Sequence, residues 1–180
     1  KPDDDSKGIN IANFNDLLQE QGAEQLSGES RVVIIHDPSD IRKPHSKTME
    51  SIDKVRGLDG KMINGYPSFN SIALGANRIH LLGCTPYSKQ EEDYNGQNPE
   101  WAFNKKKVAF AQMGAISDAF KEQNPNQVRI HLFDREGDDQ EFFEFIDKDL
   151  ADKFVIRLKL NRNSDVFTWS EEKQKEVAVK

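Results

Sequence analysis

Cysteine is almost absent from this chain: Cys84 is the only one in 180 residues. A single thiol forms no internal disulfide and supports no cysteine-based zinc site, and a reducing compartment such as a bacterial cytoplasm suits it. Long apolar runs are missing too. Nothing approaches the roughly 18 consecutive apolar residues of a membrane-crossing helix, so no membrane partner is expected. No secretory leader is legible. The sequence opens on Lys1 rather than methionine, with Asp3-Asp4-Asp5 close behind, and reads as a piece of a longer protein. There is no internal repeat.

Hydrophobic residues make up 36% of the chain and charged ones 31%, the balance of a globular domain with one core of ordinary size. The net charge of −6 is the wrong sign for a general nucleic-acid surface. That charge is concentrated near the start, where Asp3, Asp4, Asp5, Asp16, Glu20, Glu24 and Glu29 face only Lys1 and Lys7. The remainder is close to neutral, so local basic patches keep their reach.

Periodicity divides the chain. Residues 10–27 suit a short amphipathic helix with Phe14, Leu17 and Leu18 on one side. Arg31-Val-Val-Ile-Ile-His-Asp37 is a β-branched apolar run that ends in polar sequence, the pattern of a buried central strand. Residues 38–66 are polar and punctuated by Gly57, Gly60 and Gly65, and read as a loop region. Strands follow over 68–74 and 78–84, with Gly75-Ala-Asn77 as a hairpin turn. A polar excursion over 88–100 leads to a helix over 104–123. There Ala109, Met113, Ile116 and Phe120 share a face, and Asn124-Pro125 stops it.

Residues 127–134 form another strand ending in an aspartate. A helix over 138–150 carries Phe142, Ile146 and Leu150 on one face, with Asp138 and Glu141 spaced to cap its start. Residues 154–161 alternate as a half-buried strand with Arg157 and Lys159 on its polar side. Three meandering strands followed by helix-linked ones predict an α/β domain with a mixed sheet and helices on its faces.

Asp37 and Asp134 carry the chemistry. If their strands are parallel neighbours, both carboxylates emerge at one sheet edge, where they repel unless a cation lies between them. Hard oxygen ligands suit Mg²⁺ or Mn²⁺. Aspartate also ends strands merely because it favours turns and caps. Arg42, Lys43, His45 and Lys47 form one basic cluster, and Arg157, Lys159 and Arg162 another. Lys105-Lys-Lys107 reads as a solvated helix start. His36, His80 and His131 fall within strands, as packed rather than metal-bound residues do. Asp138 suits a cap, and Glu136 a supporting rather than a ligating place.

The segment Asp134-Arg-Glu-Gly-Asp138, with Phe154-Val-Ile-Arg-Leu-Lys159 and Arg162 downstream, resembles the second-aspartate region of the transposases of insertion-sequence family four. His36-Asp-Pro-Ser-Asp40 resembles their first-aspartate region, and Gly60 and Gly65-Tyr66 their glycine-bearing stretch. The likeness runs over about residues 30–163. It implies a ribonuclease H-like catalytic core over 31–163, after a connecting segment over 1–30, with the start of an inserted β-rich region over 164–180. It also implies an Asp-Asp-Glu triad with Asp37 and Asp134 as its first two members, holding two Mg²⁺ or Mn²⁺ ions. The implied reaction is hydrolysis at transposon ends followed by strand transfer into target DNA. A homodimer on DNA near the bacterial nucleoid is implied as well, with Arg157, Lys159 and Arg162 on the phosphates.

The family sets its glutamate in a Tyr-x-x-Arg-x-x-x-Glu motif after the insertion. This sequence has no such motif, so the fragment is expected to be inactive. Glu171 and Glu172 are spaced beyond Asp134 as in integrase-type enzymes, but Val166–Trp169 reads as the first strand of the insertion. Another ribonuclease H-like nuclease, and a catalytically inactive DNA-binding module derived from a transposase, remain the alternatives.

Overall fold

The computed structural model describes residues 11–90, 105–159, 167–170 and 175–178. A central strand β1 (Arg31–Arg42) organises the sheet. On one side it pairs antiparallel with β3 (Met62–Leu74) and on the other parallel with β5 (Val128–Phe133). Beyond β5, β6 (Lys153–Ile156) pairs parallel as an edge strand. The far side of β3 takes β2 (Asp53–Arg56) along its start and β4 (Ile79–Pro86) along its end. The result is a mixed six-stranded α/β sheet in the order β2-β3-β1-β5-β6, with β4 also on β3. Strands β7 (Phe167–Ser170) and β8 (Lys175–Ala178) form a separate antiparallel pair.

Three helices flank one face of the sheet. Helix α1 (Ile11–Gln25) and α2 (Lys105–Gln123) close an apolar cluster of Leu26, Val32, Ile34, Ala73, Leu82, Ile116 and Phe120. Helix α3 (Gln140–Glu144) continues into a wider π turn over Phe145–Asp149, in which the Leu150 N–H donates to Phe145 O at 2.9 Å. Its Phe142 and Ile146, with Leu150, join Phe69, Met113 and Phe133 in a second cluster. The opposite face carries rows of apolar side chains that stay partly exposed. One row runs Leu81, Ile72, Ile35, Leu132, Val155 across five strands, with Leu81 44% and Val155 57% exposed. Among the described residues no helix is long and apolar enough to cross a membrane.

Several local expectations change. Phe14 and Leu17 of α1 are 48% and 57% exposed, while Asn15, Gln19, Gly22 and Ala23 are buried. The helix docks by close approach and polar bonds rather than by its apolar side chains. A Cβ on Gly22 would lie 2.5 Å from Leu82 Cδ2, so any other residue there would have to displace the Leu82 side chain. The segment 38–66 is not a loop region, because β1 runs on to Arg42 and the β2–β3 hairpin turns at Gly57–Gly60. Gly60 takes φ +81, a left-handed conformation that side chains disfavour. The polar and charged residues that fill most of this segment hid these strands. Strand β6 ends at Ile156 and is exposed on most positions, as an edge strand with one neighbour is.

A buried polar chain crosses beneath the sheet. Asp152, just before β6, accepts from Arg129 Nε at 2.7 Å, Ser117 Oγ at 2.6 Å and His131 Nε2 at 3.1 Å. His131 Nδ1 and His36 Nε2 share a hydrogen bond at 2.8 Å. His36 Nδ1 and Ser71 Oγ share a hydrogen bond at 2.8 Å, and Ser71 Oγ accepts from Gln112 Nε2 at 2.7 Å. Gln112 Oε1 accepts from Thr85 Oγ1 at 2.5 Å, and Thr85 accepts from Asn15 Nδ2 at 2.9 Å. Each link of the chain has a hydrogen-bond partner, as buried polar groups require.

Burial, then the neighbouring His131, pushes the His36 pKa well below 6.5. The unfolded chain therefore binds a proton near pH 6.5 that the folded chain refuses. Stability is full above that pH and is lost as pH falls through the window down to the depressed folded value. Urea unfolding at stepped pH is expected to show this decline, and a flat profile between pH 7 and pH 5 would contradict it. Asp152→Ala leaves the Arg129 guanidinium, 7% exposed, without its carboxylate. A loss of about 3–5 kcal/mol in the same assay is expected.

Candidate active site

The parallel ladder between β1 and β5 ends with His36 opposite Phe133. Asp37 and Asp134 are the next residues on each strand, so the register sets them side by side at the same end of neighbouring strands. Alternation sends His36 and Phe133 into the helix-covered core, where their rings stack at 4.5 Å, and leaves both aspartates exposed. Strand β5 ends at Phe133, one residue short of the expected end, and Asp134 follows it directly. Asp37 does not end β1, which continues against β3 through Asp37↔Asn70 to Arg42↔Gly65. It marks instead the point at which β1 loses β5. Pro38 follows where β1 has only β3 for a neighbour, a position that tolerates a missing N–H.

Each aspartate is held through one oxygen. Asp37 Oδ2 accepts from Ser39 Oγ at 2.8 Å, and Asp134 Oδ1 accepts from the Glu136 N–H at 2.8 Å. Asp37 Oδ1 and Asp134 Oδ2 carry no hydrogen bond among the described residues, and so keep lone pairs for a cation. The donor set is hard and anionic, as a divalent Mg²⁺ or Mn²⁺ requires. No group of three metal-ligating side chains converges among the described residues. Glu171 and Glu172 lie outside the described residues, and so does Arg162.

The turn after Asp134 is a 3₁₀ turn over Arg135–Gly137. Its glycine is obligatory on packing grounds, since a Cβ on Gly137 would lie 2.6 Å from Phe133 Cβ and 2.7 Å from Cγ. Asp138 does not cap α3. Asp139 does, accepting from the Glu141 N–H at 2.9 Å, because the turn brings the later aspartate to the helix end. Asp138 is 1% exposed and faces the other way. Its Oδ2 accepts the Lys159 N–H at 2.8 Å, and its carbonyl accepts from Lys159 Nζ at 3.3 Å. The chain after β6 is thereby tied to the Asp134 turn.

Arg157 and Lys159 lie just past the end of β6 rather than on a strand face. Both are exposed, and the Arg157 N–H donates to Phe133 O at 3.3 Å. Lys159 lines a cleft with Lys105, Asp134, Arg135 and Glu136. A second cleft, of about 490 Å³, contains Asp37, Ser39, Asp40, Arg42, Ser68, Tyr87, Lys105 and Glu136. The two clefts meet at Lys105 and Glu136, which form an ion pair between them.

The lysines at the start of α2 are therefore not simply solvated. Lys106 bridges Asp139 and Glu141, each at 2.9 Å. Burial alone would raise the Asp139 pKa, but the bonds from Lys106 and the Glu141 N–H outweigh it and hold the carboxyl below its usual range. Contacts between residues this far apart leave no sequence period, and only the charge run itself could have drawn attention to them. The packed reading of His36 and His131 holds, with both rings in the buried chain.

Gly137→Ala is expected to lower stability by roughly 1–3 kcal/mol, the cost of forcing a methyl into filled space. Gly114→Ala makes the opposite case. A Cβ there meets nothing closer than Phe145 Cζ at 4.0 Å, and helix interiors favour alanine by about 1 kcal/mol. Urea midpoints moving in the same direction for both variants would refute the packing argument. No protein-family model matches the chain and no curated protein matches it, so the reading of this site rests on its register and its donor atoms.

Proposed function

We propose that this chain is the catalytic core of a DNA transposase on a ribonuclease H-like fold, which cleaves phosphodiester bonds at transposon ends and joins them to target DNA with Mg²⁺ or Mn²⁺. One observation carries the reading: the β1–β5 register that brings Asp37 and Asp134 to the same end of adjacent parallel strands. The sheet supports it, with a central strand flanked by the antiparallel strands β3, β2 and β4 on one side and two parallel strands on the other. The β7–β8 pair after β6 suits the start of an inserted β region.

Asp37 and Asp134 would hold the divalent ions through the oxygens left open beside their Ser39 and Glu136 bonds. Such ions activate a water and stabilise the leaving oxygen of a phosphodiester. The residues of the chain provide the rest. Ser39 and the Glu136 N–H fix each carboxylate through one oxygen. The Phe133–His36 stack and the His36–His131 bond hold the two strand ends rigidly beneath them. Lys159 and Arg157 stand at the same end of the sheet, where neutralised phosphates would position the scissile bond without reading its sequence. Arg162 would extend that contact, and a homodimer on DNA in a bacterial cytoplasm completes the reading.

The test is a calorimetric titration with Mn²⁺ together with binding to end DNA. Asp37→Asn and Asp134→Asn are each expected to abolish Mn²⁺ binding while DNA binding persists. On this reading the chain is expected to lack cleavage activity, since among the described residues no third carboxylate joins Asp37 and Asp134. Lys159→Ala and Arg157→Ala are each expected to flatten the log-affinity against log-salt line on duplex DNA by about 0.9. Mn²⁺ affinity that ignores both aspartate variants would sink the reading.

A further inference from the structure

Lys105 and Glu136 occupy the ground between the two aspartates. Their ion pair joins the first residue of α2 to the turn after β5, and both side chains line the Asp37 cleft and the Asp134 cleft. Among the described residues Lys105 has one ionic partner, whereas its neighbour Lys106 is held by two carboxylates. The Lys105 and Glu136 side chains are 48% and 51% exposed. An ion pair this wet is easily exchanged, because water and salt screen most of its attraction. Arg135 and Lys159 line the Asp134 cleft beside Lys105, so an anion entering there meets three cationic side chains.

We infer that Lys105 is a phosphodiester-binding residue, and that its ion pair with Glu136 is a resting state which a DNA phosphate displaces. A phosphodiester oxygen carries the charge that the ammonium needs, and two such oxygens can also reach Lys159 or Arg135. When Lys105 turns to the phosphate, Glu136 loses its counter-ion beside Asp37 and Asp134. The cleft becomes more negative at the moment its substrate arrives, and a divalent cation is drawn in more strongly. Phosphate and cation binding are then mutually favourable, and by linkage each strengthens the other by the same factor. The phosphate contact itself stands on the ion pair and the clefts. The coupling rests also on the proposed metal role of Asp37 and Asp134.

The test measures binding of a short single-stranded DNA, of dimethyl phosphate and of Mn²⁺ to this chain, with Lys105→Met, Lys105→Arg, Lys106→Met and Glu136→Gln. Circular dichroism checks that each variant is folded. Lys105→Met is expected to weaken DNA binding and to flatten its salt slope by about 0.7, one phosphate contact on single strands. Lys105→Arg restores both, and Lys106→Met changes neither. Without DNA, Lys105→Met is expected to raise Mn²⁺ affinity by up to about fivefold, the range of an exposed ion pair. DNA is expected to produce a similar rise in the unaltered chain and none in Glu136→Gln. Enhancement by dimethyl phosphate as well would assign the effect to the phosphodiester, and enhancement by DNA alone to a longer stretch of backbone.

DNA affinity and salt slope unchanged in Lys105→Met would overturn the phosphate contact. A Lys105-dependent salt slope with Mn²⁺ affinity indifferent to Lys105 and Glu136 would overturn the coupling alone. Mn²⁺ affinity indifferent to Asp37→Asn and Asp134→Asn would remove the metal reading and the coupling with it, while leaving the phosphate contact to stand on its slope.

Discussion

The Asp152 carboxylate is the fixed point of this structure. It is 3% exposed as a residue, and it takes bonds from β5 through Arg129 and His131 and from α2 through Ser117. Burial would favour its neutral form, yet the bonds from His131 and Ser117 and the Arg129 charge keep it ionised with a lowered pKa. A buried charge of this kind is tolerable only when it is fully bonded. From it a hydrogen-bonded chain runs on through His131, His36, Ser71, Gln112 and Thr85. The chain thereby couples β5, β1, β3 and β4 to α1 and α2. Asp37 directly follows His36 on β1, and Asp134 lies three residues beyond His131 on the strand beside it.

Much of this was legible in the sequence because it follows from local pattern. The run Val32–Ile35 announced a buried central strand, and Ala109, Met113, Ile116 and Phe120 announced the buried face of α2. The two aspartates were legible as the residues following apolar strands, and their parallel register was the one relation needed to bring them together. What was hidden depends on partners distant in the chain. Helix α1 looked as though it would bury Phe14 and Leu17. Its docking was decided instead by Gly22 against Leu82 and by Asn15 bonding to Thr85 and Cys84. Strand β2 escaped because its burial alternates over only four residues in a polar stretch. The cap of α3 passed to Asp139 because Asp138 was taken by Lys159, a residue on the far side of the helix in sequence.

The candidate site also divides labour between its two strands and its one turn. The strands supply position, because neighbouring parallel ladders hold their ends at a fixed spacing. The turn over Arg135–Gly137 supplies orientation, with its N–H on Asp134 and its glutamate on Lys105. Packing of Gly137 on Phe133 joins the two, so the site is braced by the aromatic cluster beneath it rather than by contacts within the cleft.

The apolar rows on the sheet face that no described helix covers have a thermodynamic consequence. Unfolding raises the heat capacity in proportion to the apolar area it newly exposes, by about 12–15 cal/mol/K per residue in ordinary domains. Here Ile79 is 71% exposed and Val155 57% exposed before any unfolding, and Val33, Ile35, Ile72, Ile130 and Leu132 are only partly shielded. That area is already hydrated in the folded state and contributes nothing to the change. The stability curve of this chain is therefore broader and flatter in temperature than its length implies, and its denaturant dependence correspondingly shallow.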